Sequence, residues 1–204
     1  MPENIETERL IIAAAKEVFI EKGYAETNMS DIAARVGMNR PALHYYFRTK
    51  DRMFEAVFSD IVHSFLPSIQ EAVVCEAPME ERIRRVVDIY YDALLHNPSL
   101  PMFGLRELHR DAQHLIETAK NIETGRYLGM IRATLLSEME QGRIRQMPIQ
   151  HVFYTFYGLV FAPFLSRPLA GMVFPDVATD FERNIEQWKP TVVRLMVTLL
   201  SNNH

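Results

Sequence analysis

Apolar residues recur at intervals of three and four along several stretches of the chain, whereas no stretch of useful length alternates apolar with polar residues. The first spacing places residues on one face of an α-helix, and alternation would indicate a β-strand. Prolines, glycines and capping residues mark the breaks between these stretches. The sequence therefore predicts an all-α fold of about nine helices. After residue 50 we expect helices at about 50–75, 79–96, 99–116, 120–141, 148–166 and 180–201.

Two short helices joined by a tight turn are predicted near the N-terminus. Asn28 can cap the first helix, with Asp31 three residues later as in a capping box, and Gly37 can adopt the left-handed conformation that ends it. Asn39 can cap the second helix, where Pro41 lies in the first turn and its missing N–H costs little. This arrangement is typical of a helix-turn-helix that grips duplex DNA.

The second short helix has an inner and an outer face. Leu43 and Phe47 lie one turn apart and are expected to face the core, so that Tyr45 points away from it. On the outer face, the side chains at the start of the helix are small and those towards its end can form hydrogen bonds. Such a face suits entry into the major groove. Lys50, at the start of the next helix, can bind a phosphate. The candidate DNA-binding residues are Asn28, Asn39, Arg40, Pro41, Ala42, His44, Tyr45, Tyr46 and Lys50.

At these residues the chain resembles the TetR family of bacterial transcriptional regulators. The resemblance extends over residues 8–58 and is carried by Ile32, Ala33, Gly37, Leu43, Phe47 and Lys50. His44 stands where the family commonly has a tyrosine that contacts phosphate, and Asn28 stands where it commonly has threonine. Imidazole can still donate to a phosphate oxygen, and asparagine caps a helix as well as threonine does. The resemblance implies a three-helix DNA-binding domain followed by a helical bundle that binds a ligand and dimerises.

Charge is distributed unevenly in a way that supports DNA binding. The whole chain carries a net charge of −4, but residues 27–52 carry +3, which leaves −7 for the rest. Segregation of this kind confines the attraction for DNA to one small module. The single Cys75 rules out an intramolecular disulfide, and no basic segment followed by an apolar one begins the sequence, so we expect a cytoplasmic protein.

The last two predicted helices carry more apolar surface than one flank of a small bundle needs, which indicates an association face. In the family that the chain resembles, two such helices from each subunit form a four-helix interface. A twofold dimer would read a palindrome with two half-sites. The candidate dimer-interface residues are Phe153, Phe156, Tyr157, Val160, Phe164, Val192, Val193, Met196 and Leu200.

Between the DNA-binding segment and these helices lies a region rich in apolar, methionine and histidine residues, where the resemblance implies a ligand cavity. Apolar walls with a few polar groups would suit a lipophilic or amphipathic small molecule. Each of these residues could equally belong to the ordinary core of a helical bundle. The candidate ligand-binding residues are Phe65, Met102, Phe103, Arg106, His109 and Tyr127.

Metal binding and catalysis find little support in the sequence. His109 and His114 are five residues apart, whereas two ligands on one helix lie three or four apart. Arg106, Glu107 and His109 are acid and base candidates by residue type alone, and no nucleophile elbow or phosphate-binding loop is present. We therefore expect no metal, no cofactor and no enzymatic activity.

The sequence predicts a DNA-binding domain over residues 1–50 and a ligand-sensing and dimerisation domain over residues 51–204. The expected function is that of a homodimeric, ligand-responsive regulator, in the first place a repressor that is released from a palindromic operator by its effector. The alternative is a helical interaction protein or a small helical enzyme with a vestigial DNA-binding module.

Overall fold

The computed structural model describes residues 2–202, apart from the side chains of residues 2, 3 and 178. Its regular structure over those residues is entirely helical, which confirms the predicted all-α class. The helices are α1 (Pro2–Glu26), α2 (Met29–Val36), α3 (Arg40–Tyr46), α4 (Lys50–His63), α5 (Leu66–Val74), α6 (Met79–His96), α7 (Leu100–Arg110), α8 (Ala112–Asn121), α9 (Thr124–Glu140), α10 (Ile149–Leu165), α11 (Arg167–Val173), α12 (Pro175–Thr179) and α13 (Phe181–Leu200).

The described residues contain more helices than the predicted nine or so because two expected helices are broken and one expected gap is helical. The helix predicted over residues 50–75 breaks before α5, where Pro67 lacks the N–H that would continue the hydrogen-bond ladder. The helix predicted over residues 99–116 breaks at Asp111, whose side chain accepts from the backbone N–H of His114 and starts α8. Pro168 and Pro175 lie in the first turns of α11 and α12, in a segment where no helix was predicted.

The caps of the N-terminal helices are confirmed. The Asn28 side chain accepts hydrogen bonds from the backbone N–H groups of Ser30 and Asp31, both at 3.0 Å, and donates to the Asp31 carboxylate. Gly37 has φ 79° and ψ 27°, the left-handed conformation expected at the end of α2. The Asn39 side chain accepts from the Ala42 N–H at 2.9 Å. Local sequence therefore fixes where α2 and α3 begin and where α2 ends.

The chain forms two compact units. Unit 1 comprises residues 1–64 and 102–124, and unit 2 comprises residues 65–101 and 125–204. These units differ from the predicted domains, which meet between residues 50 and 51. Unit 1 also includes α4, all of α8 and most of α7. The division at residue 50 stays a proposal about function.

Unit 1 encloses a core made largely by α1 and α4. The apolar side chains of Ile11, Ala15, Val18 and Phe19 on α1 are buried. The Phe19 ring meets the Phe54 ring of α4 edge-on, at 5.3 Å between centroids. Leu43 attaches α3 to this core and is fully buried. Helix α3 is thereby held on this core although it has only seven residues.

Unit 2 is organised around α6, α10 and α13. Val87, Tyr91, Val160, Ile185 and Val192 are among its most buried side chains. Within the described residues no single helix is long and apolar enough to cross a membrane. Helices α10 and α11 together have the required length and composition, but they are bent by 66° relative to each other.

Candidate DNA-binding surface and unit 2 cavity

Helix α3 presents the outer face that its sequence predicts. Leu43 and Phe47 are 0% and 7% exposed, whereas Tyr45 is 78% exposed. Pro41 and Ala42 are also exposed at the start of the helix. The structure thus brings the small residues and the tyrosine to one accessible surface, which we call the α3 outer face.

His44 organises the polar groups of the α3 outer face. Its Nε2 accepts a hydrogen bond from Arg40 Nε at 3.3 Å, and its Nδ1 lies 3.1 Å from the backbone carbonyl of Arg48. The ring proton must then be on Nδ1, which donates to that carbonyl. Both ring nitrogens are engaged within the protein, so in this arrangement His44 holds the Arg40 guanidinium and has no free N–H for a phosphate.

Lys50 has partners that its sequence position did not predict. Its ammonium donates to the backbone carbonyls of Tyr24 and Thr27 at 2.9 and 3.0 Å, and it lies 4.3 Å from the centre of the Tyr24 ring. An ammonium group has three N–H donors, so two of them serve these carbonyls and one remains for a phosphate. Lys50 therefore ties the start of α4 to the end of α1.

Replacing Lys50 with alanine is expected to lower both stability and DNA affinity. Two carbonyls lose a charged donor, which costs roughly 1–3 kcal/mol of unfolding free energy. If the third N–H contacts a phosphate, binding to all DNA sequences weakens and the salt slope falls by about one. Urea unfolding and fluorescence anisotropy at several salt concentrations measure the two effects. Lys22→Ala is the control, because Lys22 is exposed and pairs with Asp31 at 2.8 Å. An unchanged salt slope would contradict the phosphate contact.

Helix α1 is kinked at Gly23, and residues of α7 occupy the space beside the kink. Gly23 has φ 78° and ψ 170°, and a Cβ added to it would lie 2.8 Å from Arg106 Nε. The Arg106 guanidinium donates to the backbone carbonyls of Phe19, Ile20 and Glu21, which lie in the last turn before the kink. A cation is favourable at this end of a helix because the terminal carbonyls have no partner within the helix.

Glu107 completes this junction from inside the core of unit 1. It is 1% exposed, and its carboxylate accepts from the Tyr24 N–H at 2.8 Å and from Arg110 Nε at 2.7 Å. The Tyr24 hydroxyl bonds the Asp51 carboxylate, and burial together with that bond raises the pKa of Tyr24 to about 12. Arg106 and Glu107 are thus structural partners of α1, a role that residue type alone did not reveal.

Unit 2 contains a cavity of about 490 Å³ with mainly apolar walls. This volume falls within the range of small-molecule sites. We call it the unit 2 cavity. It is lined by Ile69, Val73, Met79, Arg82, Ile83, Val86, Tyr90, Leu128, Ile131, Arg132, Leu135, Glu138, Ile144, Ile149, Gln150, Val152, Phe153, Tyr154, Phe156, Tyr157, Met196 and Leu200.

The candidate ligand-binding residues do not line this cavity. Met102, Phe103, Arg106 and His109 belong to unit 1, where Phe103 is buried in the core. Their places in the structure differ too much for a common site: Met102 is 51% exposed, and His109 Nδ1 bonds the Leu105 carbonyl of its own helix. Phe65 and Tyr127 lie in unit 2 but outside the lining, with Phe65 packed on Tyr90 at 5.6 Å.

A few polar side chains interrupt the walls of the unit 2 cavity. The hydroxyls of Tyr90 and Tyr157 share a hydrogen bond of 2.6 Å, and burial raises the pKa of both groups. Arg82 and Glu138 form an ion pair of 2.6 Å, with side chains that are 14% and 9% exposed. None of these four residues was predicted to bind a ligand, although Tyr157 was a candidate for the dimer interface. A usable signal was the presence of Arg82 and Glu138 on helix faces that are otherwise apolar.

Most of the candidate dimer-interface residues are buried within a single chain. Their exposure is 8% or less for Val160, Phe164, Val192, Val193, Met196 and Leu200, which form part of the unit 2 core. These side chains are not available to a partner subunit in this conformation, which corrects that part of the prediction. The apolar stripes on α10 and α13 were correctly identified, but they pack against their own chain. Phe156 and Tyr157 are partly buried and line the cavity, and Phe153 is 56% exposed.

Among the described residues, no three histidine, cysteine, aspartate or glutamate side chains converge on a point where a metal ion could bind. His114 instead lies 3.4 Å from Asp51 and packs against the Tyr24 ring at 4.7 Å. It belongs to the junction between α1, α4 and α8.

The N-terminal part of the chain is similar to a known protein family. Residues 11–57 match the family described as bacterial regulatory proteins, tetR family. The chain is 29% identical over 87 residues to the transcriptional activator FasR of Mycolicibacterium smegmatis, a match that covers 43% of this chain and 40% of that protein. It is 25% identical over 136 residues to the fatty acid metabolism regulator protein of Bacillus subtilis, covering 67% of this chain and 70% of that protein.

Solved structures resemble the whole fold. The FadR regulator of Bacillus subtilis, in a complex with stearoyl-CoA, superposes with a TM-score of 0.69 at 21% identity and covers 96% of this chain and 99% of its own. FadR of Bacillus halodurans gives a TM-score of 0.70 at 20% identity, with 94% of each chain covered. At such identities the likeness shows a shared fold. The two relatives are named as a transcriptional activator and a regulator of fatty acid metabolism.

Proposed function

We propose that the chain, whose residues 11–57 match the tetR family of bacterial regulatory proteins, is a transcriptional regulator of that family. It represses transcription as a homodimer bound to a palindromic operator, from which a lipophilic or amphipathic effector releases it. The observation that carries this proposal is the α3 outer face, anchored by buried Leu43 and exposing Tyr45. A bacterial cytoplasm is the compartment in which such a protein would meet its operator.

Recognition of the operator is proposed to begin at the N-terminal end of α3. Arg40 lies there beside small residues that allow close approach to base edges, and His44 fixes the direction of its guanidinium. Tyr45 and Tyr46 extend the surface, with their rings edge-on at 5.3 Å. The surrounding net charge of +3 over residues 27–52 favours the approach of a phosphate backbone.

Dimerisation is proposed to use the outward faces of α10 and α13, in place of the stripes that are buried in the unit 2 core. On α10, Tyr154 is 66% exposed, and a Cβ added to Gly158 one turn later would have no neighbour within 4 Å. Exposed Ala162 follows after a further turn. On α13, Leu195 is 41% exposed. Small residues between larger ones would let a partner helix approach closely, and a twofold axis would pair two α3 helices with two half-sites.

The effector is proposed to bind in the unit 2 cavity, whose volume and apolar lining suit a molecule with a hydrocarbon portion. The stearoyl-CoA complex of the Bacillus subtilis regulator supports this class of effector, because that protein shares the fold. The chain passes between the two units three times, at residues 64–65, 101–102 and 124–125. A ligand that prefers one conformation of unit 2 can therefore shift unit 1, by no more than its difference in affinity for the two states.

Selection of bound duplexes from a random pool tests operator recognition and symmetry together. We expect a palindromic consensus with half-sites about one helical turn apart. Titrating the selected duplex with protein, followed by light scattering of the complex, should then give an even number of chains on each duplex. A consensus without twofold symmetry would contradict the dimer, and the absence of any enrichment would contradict operator binding.

A further inference from the structure

The wall of the unit 2 cavity contains a largely buried guanidinium. Arg82 lies on the face of α6 that also carries Met79, Ile83, Val86 and Tyr90, all of which line the cavity at intervals of three and four residues. Its side chain is 14% exposed. A charge at this position is costly unless every donor has a partner, so its environment indicates what the cavity can accept.

The donors of Arg82 are only partly satisfied by the protein. Nη1 donates to Glu138 Oε1 at 2.6 Å, and Nη2 donates to the backbone carbonyl of Val73. Nε is buried and has no acceptor among the described residues. Both partners, Val73 and Glu138, also line the cavity. Because a guanidinium has five N–H donors, Nη1 and Nη2 each also keep one N–H, and a ligand oxygen that accepted from any of these remaining donors would form a charge-assisted hydrogen bond.

The charges around this ion pair favour an anion over a cation. Glu138 is paired with Arg82 and lies 3.9 Å from Arg143, so its carboxylate already has two cationic neighbours. A positively charged ligand would meet guanidinium groups without a free carboxylate to balance them. A carboxylate ligand would instead share Arg82 with Glu138, at the cost of some repulsion from Glu138.

We propose, building on the effector site of the proposed function, that the unit 2 cavity binds a single-chain carboxylic acid whose carboxylate accepts from Arg82 inside the cavity. The hydrocarbon chain runs along Ile83 and Val86 towards Tyr90, whose Cα lies about 12 Å from that of Arg82 for eight residues of helix. The Tyr90 and Tyr157 hydroxyls form a hydrogen bond with each other, so they need no polar partner from the ligand. That end of the cavity therefore suits the end of a hydrocarbon chain.

The proposed orientation places the carboxylate at Arg82 and not at the second arginine of the cavity wall. Arg132 also lines the cavity but is exposed on α9, next to Leu128, which is 47% exposed. A head group bound at Arg132 would project to solvent and could be large. A head group bound at Arg82 would lie against a side chain that is only 14% exposed, so we expect a free acid to fit there better than a coenzyme A thioester.

The test uses the full-length protein, calorimetric titration without DNA, and four probes with the same twelve-carbon chain: dodecanoate, 1-dodecanol, dodecyltrimethylammonium and lauroyl-CoA. We expect dodecanoate to bind tightest. Arg82→Met should weaken dodecanoate roughly tenfold or more, as expected for loss of a charged hydrogen bond, and should leave dodecanol little changed. Arg132→Met is the matched control and should change neither affinity by more than a factor of about three.

Glu138→Gln provides a second variant in case Arg82→Met does not fold. It removes the carboxylate that competes for Arg82, so dodecanoate should bind more tightly while dodecanol does not. Tighter binding of the ammonium or the thioester than of the acid, or a loss caused by Arg132→Met instead of Arg82→Met, overturns the assignment of Arg82. If none of the probes binds, the proposed carboxylate site is wrong. Operator binding is measured separately and stays intact if only this inference fails.

Discussion

Replacing Glu107 with leucine is expected to lower the free energy of unfolding by roughly 3–5 kcal/mol, a large part of the stability of a typical domain. The carboxylate is 1% exposed and accepts from both the Tyr24 N–H and Arg110 Nε. Leucine of similar size would leave the Tyr24 N–H without an acceptor and would remove the carboxylate that pairs with the partly buried Arg110 guanidinium. Urea unfolding followed by circular dichroism measures the change.

Two further variants make the Glu107 result interpretable. Glu17→Leu is the matched control, because the Glu17 side chain is 64% exposed and pairs with Arg35 at the surface, where ion pairs contribute little. Glu107→Gln keeps an oxygen for one donor but loses the charge, so its effect should fall between the two leucine variants. The assigned role of Glu107 would be wrong if Glu107→Leu and Glu17→Leu destabilised the protein equally.

Replacing Arg40 with alanine is expected to lower affinity for the selected operator by at least about 30-fold, because a lost arginine–base contact costs about 1–3 kcal/mol and a dimer loses two of them. The guanidinium is exposed at the start of α3 and is held by His44 Nε2. Fluorescence anisotropy with the operator and with a random duplex measures the specific and nonspecific components.

The matched control for Arg40 removes an arginine from unit 2. Arg84 is exposed on α6 and pairs with Glu80 one turn earlier, so Arg84→Ala changes the net charge equally and should leave operator affinity nearly unchanged. A loss that is the same for operator and random duplex would show that Arg40 contacts phosphate only. His44→Phe should resemble a weaker form of Arg40→Ala, since the guanidinium then loses its partner.

Features set by neighbouring residues were predictable from the sequence. The caps at Asn28 and Asn39 and the left-handed Gly37 follow from the hydrogen-bonding and conformational preferences of single residues within one helical turn. The inward position of Leu43 and the outward position of Tyr45 follow from the helical period. The exposed and buried positions of α3 were therefore predicted correctly, whereas the hydrogen bond between Arg40 and His44 was not predicted.

Features that depend on distant residues were not predictable in this way. Lys50 was expected to face a phosphate, but its ammonium binds carbonyls of residues more than 20 positions earlier, and Arg106 binds carbonyls more than 80 positions earlier. The apolar stripe on α13 was correctly recognised, yet periodicity cannot tell whether such a stripe meets its own chain or a partner. In the structure Val192 and Met196 meet their own chain.

The sequence by itself determined the helical class, the starts of α2 and α3, and the chemistry of the α3 outer face, because each depends on interactions within one or two turns of helix. Only the tertiary structure decided that Glu107 fastens α7 to the kink of α1, and that a cavity between α6, α9 and α10 contains the Arg82–Glu138 pair. The physical reason is that burial and charge pairing depend on which helices meet, and the helical period of one segment carries no information about its neighbours in space.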